Sequence, residues 1–340
     1  MSGGHKRRPT SFDVAELAGV SQPTVSRALS GSPAIAEATR RKVIAAAEAL
    51  GYFVDERAAR LRRGSTGTLA VVVICREDDS AATINPFAYA LLGSVCVAAS
   101  QRGLETLVSF QARGEAFFGH YQEQGRADGL IVIGTTTNEA AWDYFRAIEG
   151  PDRRVAYWGS PFDDLDWVRS DNHAAGHLAV KHLLAQGYRR PCFLGALNTP
   201  QVQFTERYEG YAAAMREAGL EPCLAPTVKA ASREEEGRRA ARRLIERGDK
   251  VDAVFAACDA MALGAMEAFA DADIAVPHQI GVMGFDDLLA GRFSRPSLTS
   301  IAPDPAEAGA ALVEAVLDEA GTKARRRVPV RLIARGSTAR

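Results

Sequence analysis

The first thirty residues place apolar side chains at the spacing of two short helices. Residues 10–30 divide around Gly19, whose freedom at positive φ lets the first helix end in a tight turn. Ser11 is placed to cap the first helix and Ser21 the second. Pro23 falls in the first turn of the second helix, where no N–H is needed. The pattern predicts two helices joined by a short turn.

A third amphipathic pattern covers about residues 36–50 and is terminated by Gly51. It completes a three-helix module over residues 1–50. Residues 51–65 are helix-prone but too short and polar to be stable alone, so we expect them to fold only on a partner. The inner face of the first helix is predicted to hold Val14, Leu17 and Ala18.

From Thr68 onward, buried strands alternate with amphipathic helices, which is typical of parallel sheets. The predicted strands cover residues 69–74, 104–110, 129–133, 154–158, 191–194, 251–256 and 280–283. This number of strands suits two doubly wound lobes within residues 66–340. We assign 66–168 and 298–303 to the first lobe, and 169–297 and 304–340 to the second.

The net charge of −1 conceals an asymmetry between the two parts of the chain. Residues 1–63 contain eleven Lys and Arg against six Asp and Glu, so the remainder is acidic. A basic module on an acidic body suits a head that binds phosphates. Taken alone, the charge is also compatible with an ordinary solvated surface.

The composition, 47% hydrophobic and 24% charged, is that of a globular protein. The five cysteines are odd in number and include no C-x-x-C pair, so we expect reduced core residues. No apolar segment follows the basic N-terminus, and no apolar run reaches about 18 residues. We therefore expect a cytoplasmic protein with no export signal and no membrane partner.

The exposed edge of the second predicted helix carries side chains suited to DNA. In a helix-turn-helix this helix enters the major groove, where Arg27 can pair with guanine and Gln22 with adenine. Thr24 and Ser11 are better suited to phosphates. An ordinary helical hairpin with exposed polar residues is the alternative. The predicted DNA contacts of the module are Ser11, Ser21, Gln22, Pro23, Thr24, Ser26 and Arg27.

Three motifs in this module, Asp13-Val14-Ala15, Gly19-Val20-Ser21 and Thr24 to Leu29, resemble the head of the lactose-repressor (LacI/GalR) family. The resemblance implies a transcription regulator, with a hinge helix after Gly51-Tyr52 that orders on DNA. Leu61 matches the leucine that the family inserts into the minor groove.

The hinge segment differs from the family at its start, where Val54-Asp55 replaces the common Pro-Asn. An apolar wedge such as Leu61 opens a base step at a cost of a few kcal/mol, which contacts to the bent duplex offset. Arg57 is a further expected DNA contact. The alternative for Leu61 is a linker side chain packed on the body.

The resemblance continues through Asn85-Pro86-Phe87, Ser170-Asp171-Asn172, Asp259 to Ala265 and Gly284 to Asp287. It implies an α/β body like that of periplasmic binding proteins, with a small-molecule effector between its lobes. It implies that Arg207 and Asp286 contact the effector; the further expected contacts are Phe87, Trp158, Asp171 and Cys258.

The predicted effector residues suit a polyhydroxylated ligand, such as a sugar or sugar derivative. Asp286 offers acceptors and Arg207 donors to paired hydroxyls, and Phe87 and Trp158 can stack on ring faces. Cys258 stands where the family often has asparagine. The alternatives are a structural salt bridge for the charged pair and core packing for the aromatic residues.

The sequence lacks the motifs of nucleotide binding, the Gly-x-Ser-x-Gly nucleophile elbow and His-Glu-x-x-His. We therefore expect no catalysis, no cofactor and no metal. His173 and His177 are expected on a helix surface. A sugar- or nucleoside-processing enzyme with a DNA-binding head is the alternative function, and a transport-type binding protein is a third.

Two heads are needed to read the half-sites of a palindrome, so we expect a homodimer on double-stranded operator DNA. No heptad pattern suggests a tetramer. Effector binding is expected to reorient the lobes and thereby bias the paired hinges.

Overall fold

The computed structural model describes residues 9–53, 64–76, 84–134, 138–150, 152–197, 202–318 and 325–340. The chain forms two compact units divided between Thr66 and Gly67. The predicted contacts Arg57 and Leu61, and the unusual Val54-Asp55, lie outside the described residues.

The first unit contains three helices, α1 (Ser11–Ala18), α2 (Gln22–Leu29) and α3 (Glu37–Leu50). Ser21 caps α2 as predicted, accepting a hydrogen bond from the Thr24 amide. The predicted cap of α1 is wrong by one residue. Thr10 is the cap, because its side chain and that of Asp13 bond reciprocally to each other's backbone amides.

The core of the first unit brings together one fully buried valine from each helix, Val14, Val25 and Val43. The predicted inward position of Leu17 is wrong, because 56% of this residue is exposed. A helix of only eight residues has room for a narrow apolar stripe, and α1 fills it with Val14 and Ala15.

The second unit contains two sheets, which define two lobes. The first lobe has six parallel strands in the order β10-β5-β4-β3-β1-β2. They are β1 (Thr68–Ile74), β2 (Glu105–Gln111), β3 (Gly129–Gly134), β4 (Val155–Trp158), β5 (Trp167–Ser170) and β10 (Arg325–Val328).

Helices cover both faces of this sheet. Leu69, Val71 and Val73 of β1 pack toward α4 (Pro86–Gln101) and α11 (Pro305–Leu317). The alternate residues Ala70, Val72 and Ile74 pack toward α5 (Glu139–Ala147). The unbroken apolar run of β1 thus follows from burial on both sides.

The second lobe has the strand order β11-β9-β8-β7-β6, with only β11 antiparallel to its neighbour. Its strands are β6 (Pro191–Leu194), β7 (Ala253–Ala256), β8 (Gly281–Phe285), β9 (Thr299–Pro303) and β11 (Val330–Ile333). Its helices are α6 (Asn172–Ala185), α7 (Val202–Glu217), α8 (Arg233–Arg247), α9 (Asp259–Asp271) and the short α10 (Leu289–Phe293).

The chain passes between the lobes after β5, after β9 and after β10. The predicted assignment of residues 298–303 to the first lobe is wrong, because Met283 of β8 pairs with Thr299 of β9. Residues 305–317 and 325–328, predicted in the second lobe, instead join the first. A short buried strand has the same apolar pattern whichever sheet it enters, so the sequence left its lobe undetermined.

Cys192 of β6 and Cys223, beyond α7, form a disulfide between positions 31 residues apart. This corrects the expectation that every cysteine is reduced; Cys75, Cys96 and Cys258 are free. Across the described ranges, the helices are too short or too polar to cross a membrane.

Candidate functional site

The exposed edge of α2 presents the side chains predicted to read DNA. Pro23, Ser26 and Arg27 are exposed, and Gln22 and Thr24 are half-buried. Pro23 lies in the first turn, which leaves the backbone hydrogen bonds of α2 intact. None of these five side chains is enclosed by the fold of the first unit.

Two hydrogen bonds order part of this edge. Gln22 Nε2 donates to Ser11 Oγ at 3.2 Å, and the hydroxyls of Ser21 and Thr24 lie 2.8 Å apart. The amide of Gln22 is therefore oriented by α1 while retaining one N–H and its carbonyl oxygen for a partner. Arg27 depends on no such support, since its side chain projects from the last turn of α2.

Phe12 is an exposed aromatic residue that the sequence reasoning missed. It follows Ser11 on α1 and is 70% exposed. An exposed phenylalanine can contact a thymine methyl group in a major groove. Its position beside a predicted phosphate contact was the available signal.

A cavity of about 420 Å³ lies between the two lobes of the second unit. It is found where β1 and β4 of one sheet and β8 of the other reach their carboxyl ends, the expected place for a ligand in such folds. Five of the six predicted effector residues line it: Phe87, Trp158, Arg207, Cys258 and Asp286.

Arg207 is held in a fixed position by groups of the second lobe. Its Nε donates to Asn172 Oδ1 at 2.9 Å and its Nη1 to the Ala257 carbonyl at 2.5 Å. The guanidinium carbon lies 3.4 Å from the centre of the Phe285 ring. Burial lowers the pKa of Arg207, and the negative charge of Asp286 opposes that shift.

Asp286 follows β8 with a φ of 111°, a conformation that favours glycine. Burial raises the pKa of its carboxyl to about 6, against the opposing effects of Arg207 and a hydrogen bond from Asn85. The ion pairs among the described side chains do not include Asp286 with Arg207. The carboxylate therefore faces the cavity without a direct salt bridge to that arginine.

The first lobe supplies an aromatic wall. The rings of Phe87 and Trp158 are 5.6 Å apart, and both residues line the cavity while packing in the core of their lobe. The stacking and core-packing interpretations are thus compatible, because one face of each residue can serve each purpose.

Cys258 and Asp259 occupy the start of α9 beside the cavity. Cys258 is the N-cap without a side-chain cap bond, and burial raises the pKa of its thiol to about 12. Asp259 accepts from Ser300 Oγ and from the Leu288 amide, both at 2.7 Å. The buried carboxylate of Asp259 therefore orients the segment that carries Asp286.

Contrary to the prediction, Asp171 does not line the cavity. It is not among the described residues that line the cavity, and its Oδ1 caps α6 by accepting from the Ala174 amide at 3.0 Å. A capping role thus replaces the expected ligand contact, because the carboxylate is used by its own helix.

The sequence reasoning missed several polar side chains at the cavity, among them Asn85, Gln203 and Arg233. Asn85 also caps α4 by accepting from the Phe87 amide at 2.9 Å. Its place immediately before Pro86, next to a predicted contact, was the signal that could have identified it.

Residues 12–54 match the family described as bacterial regulatory proteins, lacI family, and residues 180–338 match a periplasmic binding protein-like domain. The HTH-type transcriptional regulator CelR of Thermobifida fusca is 31% identical over 304 residues, which cover 87% of each chain. This chain belongs to the LacI family. The Ribose operon repressor of Escherichia coli K12 is 30% identical over 313 residues, covering 91% of this chain and 92% of the relative.

Solved structures of LacI-family proteins share this architecture. The CelR–cellobiose complex has a TM-score of 0.66 at 28% identity, covering 97% of this chain and 100% of that one. The Lac repressor dimer bound to operator and the anti-inducer ONPF has a TM-score of 0.78 at 24% identity, covering 98% and 99%. The LacI-family chain is therefore a DNA-binding transcription regulator with an effector-binding body.

Proposed function

We propose that this LacI-family protein binds palindromic operator DNA as a homodimer and that a sugar or sugar derivative, bound between its lobes, controls its operator affinity. The cavity carries this proposal, because it combines an aromatic wall, a fixed guanidinium and a carboxylate at the crevice where α/β folds bind ligands. We infer repression, because the ribose relative is a repressor.

The chemistry of the cavity favours a ring with several hydroxyls. Arg207 offers donors, Asp286 offers acceptors, and Phe87 and Trp158 present flat apolar faces. The related regulator CelR has been solved in complex with cellobiose. Cellobiose and ribose are therefore the first ligands to test.

The proposed DNA contacts of the head, at the major groove and its flanking phosphates, are Ser11, Ser21, Gln22, Pro23, Thr24, Ser26 and Arg27. From the hinge segment, Leu61 is proposed to enter the minor groove and Arg57 to contact the DNA beside it. Arg27 and Gln22 would select bases, and the hydroxyl groups would hold phosphates. Such binding would take place in the cytoplasm, where bacterial DNA lies.

A second copy of this chain is the proposed partner of an exposed apolar face on the first lobe. This face, formed by Tyr89, Val97, Val108 and Phe110 on α4 and β2, includes the edge strand of the sheet. The rings of Tyr89 and Phe110 are 6.1 Å apart, so the face is continuous across both elements. A two-fold arrangement would supply the two heads that a palindrome requires.

In sedimentation experiments, Val97→Asp should convert a dimer to a monomer, whereas a wild-type monomer would contradict the dimer.

The test begins with selection of bound sites from random duplexes, followed by anisotropy titration of the selected site with cellobiose, ribose and a wider sugar panel. We expect a palindromic site and a sugar that changes its affinity by at least about fivefold. The sugar should be recovered unchanged, as shown by NMR. Turnover of the sugar would instead favour the enzyme alternative, and the absence of any selected site would reject the regulator.

A further inference from the structure

Glu206 occupies an unusual position between the lobes. It lies on α7 of the second lobe, directly before the cavity residue Arg207, and is only 8% exposed. Its Oε1 accepts from Arg169 Nη1 at 3.2 Å and from Arg327 Nη2 at 3.0 Å. Its Oε2 accepts from Asn172 Nδ2 at 2.7 Å. Three donors thus converge on one buried carboxylate.

The two arginines belong to the other lobe. Arg169 is on β5 and Arg327 on β10, and they are cross-strand partners in the first sheet. β5 leads directly into α6, and β10 leads into β11, so both strands continue into connections between the lobes. A single carboxylate of the second lobe therefore holds two of the three crossover strands.

The contact between Arg169 and Glu206 is buried, whereas Arg327 reaches the same carboxylate with a side chain that is 42% exposed. Arg169 is 1% exposed and also donates to the Ser160 carbonyl at 2.8 Å. Its guanidinium carbon lies 4.3 Å from the centre of the Trp167 ring, and that of Arg327 lies 5.5 Å from the same ring. A buried carboxylate that loses the buried cation Arg169 is left undercompensated, so the position of Glu206 depends most strongly on that partner and less on the exposed Arg327.

Glu206 is connected to the cavity through Arg207 as well as through Arg169, which is itself one of the lining residues. Asn172 donates to Glu206 through Nδ2 and accepts from Arg207 Nε through Oδ1. A reversed amide would place its oxygen against the carboxylate and its NH₂ against the guanidinium, so this orientation is fixed by both neighbours. Arg207, Asn172 and Glu206 form a continuous relay from the cavity wall to the crossover strands.

We propose that Glu206 is a positioning residue that couples Arg207 to the crossover strands β5 and β10 through this relay. A ligand that engages Arg207 changes the bond to Asn172 and hence the hold of Glu206 on Arg169 and Arg327. The inference about regulation rests on the proposed effector function of the cavity. The coupling between Arg207 and the crossover strands is independent of that proposed function, because it can be measured without ligand or DNA.

The test is a double-mutant cycle in the full-length protein, with backbone hydrogen exchange by mass spectrometry as the measurement. Glu206→Gln removes the charge, and Arg207→Gln cuts the relay at the cavity. We expect each single variant to accelerate exchange in β10 and β5, by roughly tenfold for Glu206→Gln, with β1 and β3 unchanged. Because both variants act through one relay, Arg207→Gln should cause no further increase in the exchange rate of β5 and β10 when Glu206→Gln is already present.

Glu314 provides a matched control. It accepts from Arg326 of β10 and from Arg102, entirely within the first lobe. In the Glu314→Gln background, Arg207→Gln should retain its full effect on β10. If Arg207→Gln leaves β10 unchanged, or if its effect multiplies with that of Glu206→Gln, the coupling is refuted.

A second cycle covers the case in which either variant loses its folded circular dichroism spectrum. Asn172→Ala and Arg327→Gln then remove the neighbouring links of the relay, and the same non-additivity in β5 is expected. If the effects of Asn172→Ala and Arg327→Gln on the exchange rate of β5 multiply in the double variant, the proposal is rejected. A protein that binds no sugar would overturn the proposed function but leave both results unchanged.

Discussion

Two arginines proposed to touch ligands, Arg27 on the head and Arg207 in the cavity, have opposite surroundings. Arg27 is exposed on a short helix, whereas Arg207 is buried, hydrogen-bonded on two nitrogens and stacked on Phe285. Arg207 has already lost its side-chain entropy when the protein folds, while Arg27 loses it only on binding. The Arg207 side chain in the cavity is therefore pre-organised for a small ligand, whereas the Arg27 side chain of the head becomes ordered only when DNA binds.

The largest difference should appear when both arginines become lysine. Arg207→Lys loses the planar fork, its two hydrogen bonds and the stacking, so the free energy of unfolding of the second unit should fall by about 3 kcal/mol. Arg27→Lys should change the stability of the head by less than about 0.5 kcal/mol. Urea denaturation followed by circular dichroism and tryptophan fluorescence measures both, and equal effects would remove the contrast.

Asp286→Gly separates function from stability within the cavity. The substitution removes the carboxylate and relieves the strain of a backbone with φ of 111°. The free energy of unfolding should therefore be unchanged or higher by about 1 kcal/mol. Affinity for the sugar identified by the panel should fall by about 2–3 kcal/mol in calorimetry, because its hydroxyls lose their acceptor. Asp171→Gly is the control, and should lower stability through the lost cap while sparing sugar affinity.

Arg27→Ala tests the exposed arginine. Specific operator binding should weaken by about 1–3 kcal/mol and sequence preference should relax at one base pair. Binding to random DNA should change much less, since a base contact is lost rather than general affinity. Anisotropy titrations on both duplexes at fixed salt decide this, and an equal loss on the two would reject a base-reading role.

The smallest expected effect is a pH dependence of sugar binding and of stability that involves Asp286. The Asp286 carboxyl has its pKa raised from 3.8 to about 6, so it becomes protonated as the pH falls below that value. A sugar that needs the carboxylate should bind about tenfold more weakly at pH 5 than at pH 7. The sign is opposite for folding: the buried neutral acid favours the native state at low pH, and this contribution is lost as pH rises from about 4 to about 6. Asp286→Asn should abolish the pH dependence of sugar binding, while part of the pH dependence of stability should persist, because burial also raises the pKa of the Asp259 carboxyl well above its usual value.

Local signals in the sequence predicted the head well. Ser21, Gly19 and Pro23 act within one turn of their own positions, and the structure confirms their places at the ends of α1 and α2. Leu17 failed because a short helix can bury only part of its apolar surface. Residues 54–63 are not described, so the hinge contacts stay predictions.

Features that depend on distant parts of the chain were harder to predict. The spacing of Cys192 and Cys223 has no local pattern, and the strand 299–303 could have entered either sheet. Asp171 failed for another reason: a carboxylate that caps a helix is the same residue type as one that binds a ligand. Arg207 and Asp286 were found through family resemblance, whereas Asn85 was missed although its neighbour Phe87 was not.

The three passages of the chain between the lobes determine which parts of the gene can be exchanged with those of a relative. Each lobe is assembled from separated stretches, so a chimera with one junction inside the body would mix incompatible sheets. The chain passes between the two units only once, between Thr66 and Gly67. A junction at that point therefore leaves each unit whole. Natural or engineered recombination can therefore give this sensor a new operator much more easily than it can replace one of its lobes.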